Sequence, residues 1–259
     1  MRTERPSGVK SAERVLDILE LLSATTAVLK LSDIARQLDL PKSSASALLG
    51  TLTARGYVES TPEGFQLAPQ YRITGWVGGR HARLIRIAHP TMAELCGSIK
   101  ESVFLGVLNE REMVQYVDKV VSTEPLRYDA DLSKERYAYA TTIGHVLLAD
   151  RSREEIERYL TRQPLTPVTP KTEIDVSKLL QRILQVREQG YAELSDSHLL
   201  GVSGIGVPIR DDSGRVVASL CTFGPSSRMQ ANWDAIRTAT IEAGKKISTN
   251  LVLTAPQSP

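Results

Sequence analysis

Residues 31–67, LSDIARQLDLPKSSASALLGTLTARGYVESTPEGFQL, decide the fold of the amino-terminal part of the chain. After Pro41, apolar residues at 45, 48, 49 and 52 recur with the spacing of one helix face, and Gly56 is a typical helix end. A second helix is predicted to start at Ser32, and a first one is predicted with Ser11 as its cap. Residues 57–60 and 65–67 are typical of two strands joined by a turn. This order predicts a winged helix-turn-helix.

The third predicted helix has an unusual exposed face. Opposite its apolar stripe it presents only small residues, namely Ser43, Ser46, Ala47, Gly50 and Ala54, with Ser44 and Thr51 at the edge. Such a helix can enter a major groove about 12 Å wide and approach the phosphates closely. The alternative is a solvated surface that happens to lack charge. The predicted DNA-binding residues are Ser32, Lys42, Ser43, Ser44, Ser46, Ala47, Thr51 and Arg55.

Composition excludes several classes of protein. The chain has 259 residues, with 32 Lys and Arg against 30 Asp and Glu, so it is not a uniformly basic nucleic-acid coat. Residues 1–90 carry 12 basic and 8 acidic side chains, which is a weak indication of an anionic partner at that end. Two cysteines exclude a disulfide scaffold and a four-thiolate zinc site. A soluble cytoplasmic protein is the expectation.

The remainder of the chain predicts an α+β domain. A helix is expected to start at His89–Pro90, and strands are expected over 103–108 and 113–117. Helices follow over 140–149 and 175–189, then a hairpin of strands 203–209 and 216–223, and a last helix over 232–251. Strand pairs separated by helices indicate an antiparallel sheet.

Two runs resemble the IclR family of bacterial transcriptional regulators. SAERVLDILELLS and LKLSDIARQLDLPKSSASALLGTLTARGYVE, residues 11–23 and 29–59, resemble its DNA-binding domain. GVSGIGVPIRDDSGRVVASLCTFGPSSRM, residues 201–229, resembles the end of its GAF-like effector-binding domain. The resemblance implies a winged helix-turn-helix domain (1–72), a helical linker (73–88) and an effector domain (89–255), assembled as a dimer or tetramer. The family commonly has Arg where this chain has Ala47, which implies an atypical operator.

The resemblance also indicates where an effector would bind. Thr141, Thr142, Ile143 and Gly144 surround a helix N-terminus, which favours an anion, although an ordinary capped helix is the alternative. Gly144 would let the ligand approach the backbone, and His145 replaces the usual Lys. Gly204, Cys221 and Phe223 occupy positions that face the effector in the family, and Cys221 and Phe223 make this wall less polar. The further candidates are Asp196, His198 and Tyr128, the last one on a strand.

These features predict a ligand-responsive regulator, a repressor or an activator, of a catabolic operon. Its expected partners are double-stranded operator DNA, a small organic or aromatic acid as effector, and further copies of the chain as a homodimer or homotetramer. No cofactor or metal is expected, because the four histidines lack metal-ligand spacing. Two alternatives stay open. One is a sensor or assembly module without sequence-specific DNA binding; the other is an enzyme using Cys221 and His198 as nucleophile and base.

Overall fold

The computed structural model describes residues 9–23, 25, 27–68 and 81–254. The chain divides into two compact units, residues 1–83 and 84–259. The predicted boundary after residue 72 and linker residues 73–80 lie outside the described residues. Across the described ranges, none of the helices combines the length and the apolar character that a membrane span requires.

The first unit consists of three helices followed by a two-stranded hairpin, as predicted. These elements are α1 (Lys10–Ser23), α2 (Leu31–Gln37), α3 (Lys42–Ala54), β1 (Val58–Thr61) and β2 (Gly64–Leu67). Ile18, Ile34 and Leu49 meet in a core that buries the apolar face of each helix. Ser11 is not a cap, because α1 already begins at Lys10. Gly56 follows the end of α3 with a φ of 75°, a left-handed conformation that glycine adopts without strain.

The second unit is a six-stranded antiparallel sheet with helices on both faces. Its helices are α4 (Ala82–Ile99), α5 (Thr142–Ala149), α6 (Arg153–Arg162), α7 (Val176–Gln189), α8 (Ser226–Ala231) and α9 (Trp233–Leu253). Its strands are β3 (Ser102–Leu108), β4 (Met113–Val120), β5 (Arg136–Tyr137), β6 (Ala192–Ser195), β7 (Val202–Arg210) and β8 (Val216–Pro225), in the order β5-β4-β3-β8-β7-β6. The predicted fold class is confirmed.

The expectation that a helix starts at His89–Pro90 is wrong. Helix α4 begins at Ala82 and continues through Pro90 without interruption. The residues before the proline explain this, because Leu84, Ile85 and Ala88 are buried and continue the apolar stripe of Met92. Packing of the whole stripe therefore holds the helix together across the residue that cannot donate a backbone hydrogen bond.

The alternation of side chains along the strands creates two separate cores. On one face, Leu105 and Leu220 pack against α4 and α9. On the other face, Phe104, Cys221 and Phe223 pack beneath helices α5 to α7. Because neighbouring residues of a strand point to opposite faces, Cys221 and Phe223 share one side, as the sequence predicts.

Candidate DNA-binding face and effector cavity

The exposed face of α3 carries the predicted small residues. Ser43, Ser46, Ala47 and Thr51 are exposed, whereas Ala45 and Leu49 are buried. Ser44 is half-buried at the edge of this face, and Lys42 and Arg55 are exposed at its two ends. Ser32 is exposed in the first turn of α2. The Thr51 hydroxyl donates to the Ala47 carbonyl at 3.0 Å, so this hydroxyl is already used within the helix.

The start of α3 leaves backbone donors available. Pro41 precedes the helix, and no side chain caps it. The N–H groups of Lys42, Ser43 and Ser44 make no backbone hydrogen bond within the described chain. Helix N-termini with free N–H groups attract phosphate oxygens, since the helix dipole is positive there. With the exposed Lys42 ammonium, the first turn of α3 is suited to contact a nucleic-acid backbone.

In the second unit, a cavity lies between the sheet and the N-terminus of α5. Its walls come from β4, β6, β7 and β8, from α5 and from the segment that joins β6 to β7. The lining residues are Tyr116, Tyr128, Ala140, Thr141, Thr142, Leu194, Ser197, His198, Leu199, Val202, Gly204 and Phe223. The volume of this cavity is about 20 Å³. This volume is enough for roughly one water molecule.

The narrowness has an identifiable cause in Phe223. Its ring covers Gly204 on the neighbouring strand, where any Cβ atom would overlap the ring. The same ring lies 5.3 Å from the Tyr128 ring and 5.6 Å from the Phe104 ring, measured between centroids. Rings at these distances attract one another through tilted and edge-on contacts. The floor of the cavity is thus an aromatic cluster, completed by Tyr116 at 5.1 Å from Phe104.

The N-terminus of α5 borders the cavity through Thr141 and Thr142. The Thr141 hydroxyl caps the helix by accepting from Gly144 N–H at 3.1 Å. The N–H group of Thr142, which lines the cavity, makes no backbone hydrogen bond within the described chain, so it is available to an anion. Gly144 does not serve ligand approach: a Cβ atom there would overlap the backbone of Ala138, so glycine is needed for packing between segments of the chain itself. Ile143 is fully buried and does not line the cavity.

The two histidines of this region are both neutral. His145 is buried, and its Nε2 lies 2.8 Å from the Tyr139 carbonyl, to which it donates. Burial lowers the pKa of His145 to about 4, so it neither points outward nor brings charge to the cavity. Burial and, secondarily, the nearby charge of Arg136 lower the pKa of His198. Nδ1 of His198 is buried and finds no hydrogen-bond partner among the described residues.

Three other predicted site residues lie outside the cavity or differ in setting. Cys221 is fully buried beneath it, and burial raises the pKa of its thiol well above the usual range, so it is a poor nucleophile. The Asp196 carboxylate accepts from Gly201 N–H at 2.6 Å and from the Ser226 hydroxyl at 3.2 Å, which closes the loop before β7. Tyr128 lines the cavity from an irregular segment, not from a strand.

Sequence reasoning missed Tyr116 and Arg136. The Arg136 guanidinium lies 4.0 Å from the centre of the Tyr116 ring. Burial raises the pKa of Tyr116 well above its usual range and also raises that of Tyr128, where the charge of Arg136 opposes the rise. Both phenols are therefore protonated at neutral pH. Within the described ranges, no group of three or more His, Cys, Asp or Glu side chains could hold a metal ion.

Comparison with known proteins agrees with this architecture. The family profile described as "IclR helix-turn-helix domain" matches residues 11–62, and "Bacterial transcriptional regulator IclR C-terminal" matches residues 80–249. The chain is 30% identical to the HTH-type transcriptional regulator BhcR of Paracoccus denitrificans, over 95% of this chain and 88% of that one. It is 32% identical to the HTH-type transcriptional regulator KdgR of Escherichia coli, over 87% of this chain and 86% of the relative.

A solved structure extends the comparison to a protein with a bound ligand. An IclR homologue from Microbacterium hydrocarbonoxydans, crystallised with 4-hydroxybenzoate, matches with a TM-score of 0.66 and 26% identity, over 93% of this chain and 98% of that one. The helix-turn-helix unit, the α+β unit and these relatives agree on one assignment. The chain belongs to the IclR family and is a DNA-binding transcriptional regulator, not an enzyme.

Proposed function

We propose that this protein controls a catabolic operon in response to a small organic acid that carries a ring. The operator is bound by α3, and the effector binds in the cavity beside the N-terminus of α5. The observation that carries the proposal is the composition of that cavity, in which aromatic side chains form the floor and a free N–H group lies at one wall.

The aromatic floor favours a ring over a short-chain acid. Phe223, Tyr128 and Tyr116 present ring surfaces to the cavity, and a flat aromatic guest can replace the contacts they now make with one another. The free N–H group of Thr142, at the positive end of the α5 dipole, fits a carboxylate. A relative with 4-hydroxybenzoate bound supports the same class of ligand.

On the DNA, phosphate contacts account for most of the affinity in this proposal. Lys42, Arg55, the hydroxyls of Ser43 and Ser46, and the first-turn N–H groups of α3 are placed to contact the backbone. Because Ala47 cannot read a base by a bidentate contact, sequence is read by the serines and through the shape of the DNA. A dimer or tetramer suits a two-fold operator.

In the expected mechanism, the effector shifts the equilibrium between arrangements of two recognition helices in the assembly. It must favour one arrangement by several kcal/mol to change operator occupancy strongly.

The experiment measures binding of the purified protein to the DNA upstream of its own gene at several salt concentrations, with and without ring acids. We expect salt-sensitive binding whose affinity a ring acid changes. Absence of specific binding would favour the sensor module without sequence-specific DNA binding. Unchanged DNA binding and unchanged thermal stability with every ring acid would contradict the effector class.

A further inference from the structure

Arg136 is a buried cation without an anionic partner. Its side chain is 6% exposed, yet no carboxylate of the described residues lies within salt-bridge distance of it. Two of its N–H groups donate to backbone carbonyls, of Lys134 at 2.6 Å and of Asp131 at 3.0 Å. A buried charge without an opposite charge beside it is costly, so its retention calls for an explanation.

Nearby acidic side chains are engaged elsewhere. The Asp131 carboxylate accepts from the N–H and the hydroxyl of Ser133 at 2.9 and 2.7 Å. The Glu135 carboxylate accepts from Asn109 and from Arg111. Neither carboxylate forms an ion pair with Arg136. Hydrogen bonds from Ser133 lower the pKa of Asp131, and the more distant charges of Lys134 and Arg136 add weakly to this.

The cavity residues that interact with Arg136 are Tyr116, Tyr128 and His198. The Arg136 guanidinium lies over the Tyr116 ring, and it interacts with the hydroxyl of Tyr128 through charge and hydrogen bonding. Both phenols are protonated and line the cavity, and the Tyr116 hydroxyl donates to the Tyr128 oxygen. His198 lines the same cavity with a buried ring nitrogen that has no partner among the described residues. The described residues that line the cavity include no carboxylate that could pair with the Arg136 guanidinium.

We infer that Arg136, acting with the hydroxyls of Tyr116 and Tyr128, forms the subsite that receives the anionic oxygen of the effector. The Arg136 charge acts from behind the two phenols. The Tyr128 hydroxyl donates to the ligand, and the Tyr116 hydroxyl, which donates to the Tyr128 oxygen, holds Tyr128 in place. This inference rests on the proposed function, because it concerns the same cavity. Arg136 is then the residue that selects acids over neutral ring compounds. The N-terminus of α5 contributes hydrogen bonds to the ligand, but it does not supply the charge that distinguishes an acid from a neutral compound.

The test compares an acid with its neutral amide. Calorimetry measures the affinity of the full-length protein for 4-hydroxybenzoate and 4-hydroxybenzamide, which share a ring and a hydroxyl. The wild type is expected to bind the acid about tenfold more tightly than the amide. Arg136→Gln removes the charge and is expected to bring the two affinities within about twofold of each other.

Two further variants separate charge from folding. Arg136→Lys keeps the charge and is expected to retain most of the preference for the acid, which also covers the case in which Arg136→Gln does not fold. Arg111→Gln removes a neighbouring but exposed charge and is expected to leave the preference unchanged. Tyr128→Phe keeps the ring, loses one hydroxyl and is expected to weaken binding of the acid about fivefold.

The outcomes distinguish the two proposals. Suppose that the wild type binds the acid. If Arg136→Gln then keeps the tenfold preference for the acid, this inference is overturned and the effector class stands. If only Arg136→Lys folds, loss of the preference in that variant has the same meaning. If the wild type binds neither compound, this inference is overturned, and the measurements with the other ring acids decide whether the effector class stands.

Discussion

Gly204 and Phe223 lie directly opposite one another on β7 and β8, and the Phe223 ring occupies the space that a side chain at residue 204 would need. The pair determines how much room the cavity has. Gly204→Ala is therefore expected to displace the ring and destabilise the fold by about 1–3 kcal/mol, as overpacking does in other cores. Urea unfolding measures the change.

A double-mutant cycle tests whether the ring causes this cost. In the background of Phe223→Ala, Gly204→Ala is expected to cost at least about 1 kcal/mol less than in the wild type. Gly97→Ala is the control, because a Cβ atom there meets no neighbouring atom on the exposed face of α4. That control is expected to be neutral or slightly stabilising. Equal costs of Gly204→Ala in both backgrounds would contradict the assignment of the strain to Phe223.

Stability is expected to decrease in acid because of His145. The unfolded chain takes up a proton at this residue near the ordinary pKa of 6.5, whereas the native state takes it up only near 4. The unfolded state therefore binds more protons between these values, and the free energy of unfolding falls as the pH falls from about 6.5 to about 4. The total contribution of this residue is about 3 kcal/mol. His145→Gln is expected to flatten the profile in this window, and an equally steep profile would be evidence against a neutral buried imidazole.

The salt dependence of DNA binding tests the role of α3. Lys42→Gln is expected to weaken binding to all DNA sequences and to reduce the slope of log K against log salt by about 0.9, the value for one lost phosphate contact. Lys171→Gln removes one exposed charge from the other unit and serves as the matched control. An unchanged slope for Lys42→Gln would place the phosphate contacts on other residues.

Thiol reactivity tests the environment of Cys221. Burial raises the thiol pKa of Cys221 and that of Cys96, so neither side chain is expected to react with an alkylating reagent in the native protein at neutral pH. Both are expected to react after unfolding. Rapid modification of Cys221 in the native protein would revive the interpretation of this residue as a nucleophile.

The first unit was predictable because its signals are local. Leu49 and Leu52 mark the buried face of α3, and Gly56 marks its end, so the helix boundaries follow from spacing alone. Helix α6 was missed because only Ile156, Tyr159 and Leu160 of its ten residues are buried. A usable signal was nevertheless present, since Ser152 and Glu155 form a capping box, which has a recognisable sequence pattern.

The cavity was predictable only in part, because its walls come from segments far apart in the chain. Thr142, Gly204 and Phe223 carry family motifs and were found. Tyr116 and Arg136 carry no motif, and the burial of Arg136 depends on packing between a two-residue strand and β4 that the sequence does not reveal. Gly144 misled the prediction since a glycine required by the backbone of Ala138 looks the same in sequence as one required by a ligand.

The small volume of the cavity beside Phe223 means that binding of a ring acid must change the structure around it. A ligand the size of a benzene ring is larger than the present cavity. Its binding therefore requires the Phe223 ring to move away from Gly204, or the segment around Leu199 to move outward. A two- or three-carbon acid is smaller and would require a smaller displacement of the same positions. The size of the ligand therefore sets how far Phe223 or the segment around Leu199 must move on binding.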